Sequence, residues 1–158
     1  MTPPLSDGEL IQRLLLAALL GGMLGFEREL RQKSAGLRTN ILIAIGSALF
    51  TLMSIELTDA KTGDTSRVAA QIVTGIGFLG AGAIMRTNGG IQGLTTAATI
   101  WVNAAIGVAA GGGEYHLAFI ATAVTLVVLL VLQPIEKYLD HRRNEHLLVR
   151  PDKPSTDA

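Results

Sequence analysis

Charged positions along this chain fall in a few short clusters, and between them run uninterrupted apolar and small residues. Asp, Glu, Lys and Arg are absent from 14–26, 39–55, 68–85, 87–113 and 115–135. Stretches of this length predict membrane-crossing helices, because a hydrocarbon core of about 30 Å takes about 20 residues of α-helix. Arg13 can snorkel from a helix end, so the first apolar segment extends back to Leu10. The pattern predicts spans at 10–26, 39–57, 68–86, 94–111 and 115–133. The fold class is therefore all-α, a polytopic transmembrane helix bundle with about five membrane-spanning helices. Most spans are slightly short for a perpendicular helix, which implies little tilt or local bilayer thinning. The bundle (10–133) leaves a short N-terminal segment (1–9) and a charged tail (134–158).

Bulk composition conceals this, since 49% hydrophobic residues is ordinary for a soluble domain. The 18 glycines explain why: Gly is not counted as hydrophobic, yet it is tolerated in membrane helices and lets neighbouring backbones approach. Net charge is zero, which offers no case for a nucleic-acid partner, and the absence of cysteine removes disulfides and thiolate metal sites. Met1 to Glu9 lacks a basic n-region, so the first span is expected to be a retained helix.

Lys and Arg in the loops set the expected orientation. Arg28, Arg31, Lys33 and Arg38 lie between the first two spans, and Lys137, Arg142, Arg143, Arg150 and Lys153 follow the fifth. These sides are expected to be cytoplasmic, with the turn Arg86 to Gly93. The N-terminus, the loop Thr58 to Arg67 and the turn Gly111 to Glu114 are expected outside. That outer loop carries Lys61 and Arg67, but Asp59, Asp64 and the nearby Glu56 leave it without positive excess.

Gly21 and Gly25 in the first span, and Gly107 and Gly111 in the fourth, have the small-xxx-small spacing that places two glycines on one helix face. In the third span Ala70, Thr74, Gly77 and Ala81 recur at helical spacing, while Gly75, Gly80 and Gly82 thin its other faces. This marks it as the expected central helix. Gly75-x-Gly77-x-x-Gly80 has dinucleotide-turn spacing, but neither a preceding strand nor a downstream acidic residue accompanies it. A local break in that helix, exposing backbone groups at mid-membrane, is the other reading of its glycines.

Gln71 needs a partner inside the bundle or at the outer interface, and the fourth span offers one. There Thr95, Thr96, Thr99, Asn103 and Gly107 form a polar stripe that turns away from lipid. Gln71 and Asn103 either glue helices together, with the Thr hydroxyls bonding their own preceding carbonyls, or line a hydrated cavity. Glu27 sits where the first span meets the interface and is expected to pair with Arg28, Arg31 or Arg38, or to point inward. Asp64 or Thr65 is expected to cap the third span. Trp101, in mid-span, is expected inside the bundle or at a helix contact, with a lipid-facing position as the other reading. No Ser/His/Asp or Cys/His set and no carboxylate cluster lies at membrane depth, which argues against an enzyme. Only Glu56, Asp59 and Asp64 offer outer carboxylates for magnesium, too few for a metal or cofactor site to be assigned.

Gly25-Phe26-Glu27-Arg28, Ala35-Gly36-Leu37-Arg38-Thr39-Asn40, Arg67 to Val73 with Gln71, Gly75 to Gly82 and Gly93-Leu94-Thr95-Thr96-Ala97-Ala98, read in order, resemble the MgtC/SapB family. The resemblance covers about residues 9–133 and includes Trp101 to Gly107. It implies a bacterial inner-membrane protein linked to growth under magnesium limitation and to virulence, in some members through the F-type ATP synthase. By matching motif it singles out Glu27, Arg28, Arg38, Thr39, Asn40, Arg67, Gln71, Thr95 and Thr96. The resemblance implies that similar proteins often carry an ACT-like cytoplasmic domain, in place of which a charged tail is expected here after Pro134.

Three functions are expected to compete. A non-enzymatic regulator would act by association with itself or another membrane protein. A small ion transporter or channel, for Mg2+ among other ions, would need an oligomer, since five short helices enclose little space. A structural subunit would use its polar residues for packing alone. The orientation makes a direct prediction. Ser34→Cys is shielded from an impermeant thiol reagent in intact cells and Ser66→Cys is labelled; the reverse pattern would invert the assigned topology.

Overall fold

In the computed structural model, residues 5–57, 66–87 and 90–148 are described. They form α1 (Asp7–Leu30), α2 (Leu37–Leu57), α3 (Ser66–Gly82), β1 (Met85–Thr87), β2 (Gly90–Gln92), α4 (Leu94–Gly112) and α5 (Tyr115–Leu148). The expected Asp64 or Thr65 cap, most of the Thr58 to Arg67 loop and the tail beyond Leu148 lie outside the described residues.

Local chemistry accounts for the helix ends. Ser6 starts α1 with a capping box: its hydroxyl accepts from the Glu9 amide at 3.3 Å, and the Glu9 carboxylate accepts from the Ser6 amide at 2.9 Å. The chain turns after α1 through Gln32, which adopts a left-handed φ of 53°. The Glu29 carboxylate then accepts from the Leu37 amide at 3.0 Å and so caps α2. Gly93 leads into α4 at φ 87°, where a Cβ would run into the Ala83 carbonyl, and Gly113 ends α4 at φ 84°.

Three helices, α1, α2 and α4, pack backbone to backbone. A Cβ on Gly21 would lie 2.6 Å from Ala44 Cβ, and one on Gly25 2.8 Å from Leu37 Cα. A Cβ on Gly111 would lie 2.6 Å from the Ala48 carbonyl oxygen, and Gly107 is pressed equally against Ala44. Gly21, Gly25, Gly107 and Gly111 thus all lie at close helix contacts within the chain. The register also gives direction. Asn40, Ala44 and Ala48 of α2 lie beside Asn103, Gly107 and Gly111 of α4 in ascending order, so the two helices run parallel. Parallel neighbours require the chain to return between them. That return is α3, whose Ile76 clusters with Ile43, Ile100 and Ala104 and whose Gly80 lies against Ala97.

Two expectations about α3 are corrected. First, it ends at Gly82 rather than 86: the Ala83 and Ile84 amides bond back to Gly80 and Ala81 in a tightened turn, and Met85–Thr87 then pairs antiparallel with Gly90–Gln92. A helix ending in Gly80-Ala81-Gly82 has few side chains to carry the next turn over lipid. Its 17 residues rise only about 25 Å, less than the other helices. Among the described residues four helices are long and apolar enough to cross a bilayer, α5 over Tyr115–Ile135, and α3 contributes a shorter apolar stretch, Ala70–Gly82. Second, α3 is not central. Gly75, Gly77 and Gly82 meet no atom within 4 Å of an added Cβ, and Ala70, Thr74, Gly77 and Ala81 are all exposed. The centre belongs to α2 and α4, because two closely matched small-residue faces exclude any third helix from between them.

The chain divides after Thr125 into two compact units. In the first, α5 buries Ala118 and Thr122, and the Thr122 hydroxyl donates to the Ala118 carbonyl at 2.8 Å. In the second, α5 continues through Pro134, where the tail was expected to begin.

Gly107→Ala and Gly111→Ala are expected to lower the unfolding free energy in detergent by about 1–3 kcal/mol each, as overpacking against backbone does. Gly75→Ala and Gly77→Ala should leave it unchanged or slightly higher, measured by the same denaturant titration.

Candidate functional site

The polar residues at membrane depth gather where α1, α2 and α4 cross. Asn103 is fully buried, and its Nδ2 donates to the Asn40 carbonyl at 2.7 Å and to Asn40 Oδ1 at 3.2 Å. Asn40 Nδ2 in turn donates to the Ala35 and Gly36 carbonyls at 2.8 and 2.9 Å. This chain of amides ties α4 to the first turn of α2, with each donor spent on a carbonyl that lipid could not satisfy. Asn103 Oδ1 is buried without a donor and faces Gly21 of α1, at 3.4 Å from the position of a Cβ there.

The stripe expected on α4 is present and turned inward at Thr96, Thr99 and Asn103, whereas Thr95 is exposed. Facing it is a stripe on α2 in which Asn40, singled out by the family resemblance, continues into Ser47, Thr51 and Ser54, which sequence reasoning missed; all four are buried. Their helical spacing within an apolar span was the available signal. The Thr99 hydroxyl donates to Thr95 O and the Thr51 hydroxyl to Ser47 O, each at 2.8 Å. These bonds are internal to one helix, so they satisfy the hydroxyls without forming a hydrated path.

At the end of α1, Glu27 and Arg28 are both buried, at 6% and 3% exposure. Arg28 Nε donates to the Glu27 carboxylate at 2.6 Å, and Arg31 Nε pairs with the same carboxylate from one turn further on. Arg38 takes no part and is exposed. Two cations around one carboxylate leave this corner with positive excess. At the opposite end of α1, Arg13 does more than snorkel: its Nη1 donates to the Gly111 carbonyl at 2.8 Å, placing a cation on the C-terminal carbonyls of α4.

A cavity of about 860 Å3 runs along α2 and α3. Its walls include Leu42, Gly46, Phe50, Gly75 and Phe78, with Thr39 near one end and Gln71 towards the other. Gln71 was expected to find a partner on α4 or to reach the outer interface; it is exposed and opens into this cavity, forming no hydrogen bond among the described residues. The reason is the position of α3, which meets α4 through Ile76 and Gly80 and so turns Gln71 towards α2. The structure brings Asn40, Thr96 and Asn103 into the core, Glu27 and Arg28 into the corner, and Thr39 and Gln71 to the cavity, while Arg67 is exposed. Trp101 is 53% exposed, on the lipid-facing side and not at an interior contact. Among the described residues no group of three or more His, Asp or Glu side chains is arranged to hold a metal.

Parallel α2 and α4 joined through a returning α3, with buried amides at their crossing, define a polytopic membrane bundle with a polar seam. The chain belongs to the MgtC family, whose model matches residues 14–138. It is 48% identical over 145 residues to "Putative magnesium transporter YhiD" of Escherichia coli (strain K12), covering 88% of this chain and 67% of that protein. It is also 48% identical over 126 residues to "Protein MgtC" of Brucella abortus (strain 2308), covering 78% and 51%. To "Protein MgtC" of Salmonella typhimurium it is 50% identical over 123 residues, covering 78% and 52%. The chain thus spans about half the length of those two MgtC relatives. No solved structure matches.

Glu27→Leu strands Arg28 without its counter-charge and is expected to cost about 3–5 kcal/mol, while the Glu27→Leu/Arg28→Leu pair costs less than the single change. Asn103→Ala is expected to cost about 1 kcal/mol and Gln71→Ala almost nothing. Unfolding titrations in mixed micelles check all four.

Proposed function

We propose that the chain is a non-enzymatic membrane regulator that acts by associating with itself or with another membrane protein. It sits in a bacterial inner membrane with its N-terminus outside and its C-terminus in the cytoplasm, and it serves growth or virulence under magnesium limitation. The observation that supports association is the outward face of α3. Ala70, Thr74, Gly77 and Ala81 form a small-residue stripe that the described residues leave uncovered, while its equivalents on α1 and α4 are filled. The family resemblance makes an F-type ATP synthase the first membrane partner to test.

The second reading is an ion transporter, for Mg2+ in the first place. It is favoured by the name of the Escherichia coli relative, "Putative magnesium transporter YhiD", and by the cavity that Thr39, Ser47 and Gln71 border. Against it stand the apolar walls of that cavity and a core in which the Thr51 and Thr99 hydroxyls bond their own helices.

Two measurements separate the readings. Cross-linking through Gly77→Cys in native membranes is expected to capture a dimer or a defined partner, and capture of monomer alone counts against the regulator. Magnesium flux into proteoliposomes is expected to equal that of empty vesicles. Flux that is lost in a folded Gln71→Leu/Asn103→Leu variant would establish the transporter instead.

A further inference from the structure

We infer that the cavity between α2 and α3 binds an anionic glycerophospholipid, with an acyl chain lying along the two helices and the phosphate at the Lys33, Arg38 and Arg86 end. The apolar walls come first. Leu42, Phe50 and Phe78 are exposed around a floor of Ile43, Ile76 and Ile100. The volume falls in the range of about 300–1,000 Å3 typical of ligand sites. Water gains too few hydrogen bonds in such a space, so at membrane depth it is filled by hydrocarbon. Gly46, Gly75 and Gly82 supply the width, each with no atom within 4 Å of an added Cβ.

Charge selects the occupant. Ser34, Ala35 and Thr39 line one end of the cavity, with Ala83 of the turn after α3. Lys33 and Arg38 immediately precede two of these residues, and Arg86 follows Ala83 on β1. All three are exposed, and none forms an ion pair among the described residues. The carboxylates nearby are already committed, Glu29 to the Leu37 amide and Glu27 to Arg28 and Arg31. A second copy related by a two-fold axis along the membrane normal would bring two such cationic ends together. A phosphate headgroup neutralises them, and basic residues at a membrane surface attract anionic lipid by about fivefold each. This site is distinct from the outward stripe of α3, so neither proposal depends on the other.

The test places the only tryptophan in the cavity. Phe78→Trp/Trp101→Phe protein is reconstituted in vesicles containing equal fractions of phosphatidylglycerol and phosphatidylcholine, with one or the other carrying brominated chains. The expected result is at least fivefold stronger quenching by the brominated anionic lipid, reduced by salt. In the unsubstituted chain Trp101, on the open surface of α4, reports no such preference. The preference is expected to vanish in Lys33→Gln/Arg38→Gln/Arg86→Gln, and also in Gly75→Leu, whose side chain enters the cavity from a position where a Cβ meets no atom within 4 Å. Equal quenching by both lipids, or a preference that survives loss of the three charges, overturns the proposal. Shielding from both lipids together with dimer cross-links at Phe78→Cys overturns it in favour of a second copy.

Discussion

The contact between α2 and α4 is the constraint on which the rest depends. Ala44 and Ala48 lie against Gly107 and Gly111 so closely that neither glycine has room for a methyl group, and Asn103 reaches the Asn40 carbonyl from the same seam. In lipid no hydrophobic force drives helices together, so close packing and interhelical hydrogen bonds must do so. Because this pair is parallel, the chain has to cross back between its members. The short α3 and the hairpin after it are consequences of that geometry.

Placement of charge follows from the same packing. Glycine at 21 and 25 draws α1 onto α2, and this carries Glu27 and Arg28 below the surface at the end of the contact. A buried carboxylate there is tolerable only because Arg28 and Arg31 converge on it. Arg13 plays the matching part at the other end, where α4 would otherwise present unpaired carbonyls. Polar groups therefore clamp both ends of the three-helix core, and its middle is closed by backbone contact and one pair of asparagines.

Much of this was legible in the residues. Charge-free stretches locate the helices, since burying a charge in hydrocarbon is costly wherever it occurs. The glycine pairs at 21/25 and 107/111 mark real contacts, and the Thr96, Thr99, Asn103 stripe turns inward as its spacing requires. The third helix misled for a physical reason. Small residues report that a face can accept a neighbour, not that the neighbour belongs to the same chain. Ala70, Thr74, Gly77 and Ala81 carry the same signal as Gly107 and Gly111 but stand uncovered. Gln71 was misplaced for the same reason, and the α2 stripe went unread because Ser and Thr differ little from Ala in bulk.

That asymmetry gives the molecule its two kinds of surface. Where α1, α2 and α4 meet, a Cβ added at Gly21, Gly25, Gly107 or Gly111 collides, so the core is tightly constrained in its arrangement. On α3 an added Cβ at Gly75, Gly77 or Gly82 meets nothing, and the helix is held mainly through Ile76 and Gly80. A helix anchored at so few points, bordered by a wide apolar cavity on one side and a small-residue face on the other, is the element most able to shift when something binds. A response to lipid or to a partner would therefore be carried by α3, while the polar seam beneath it stays fixed.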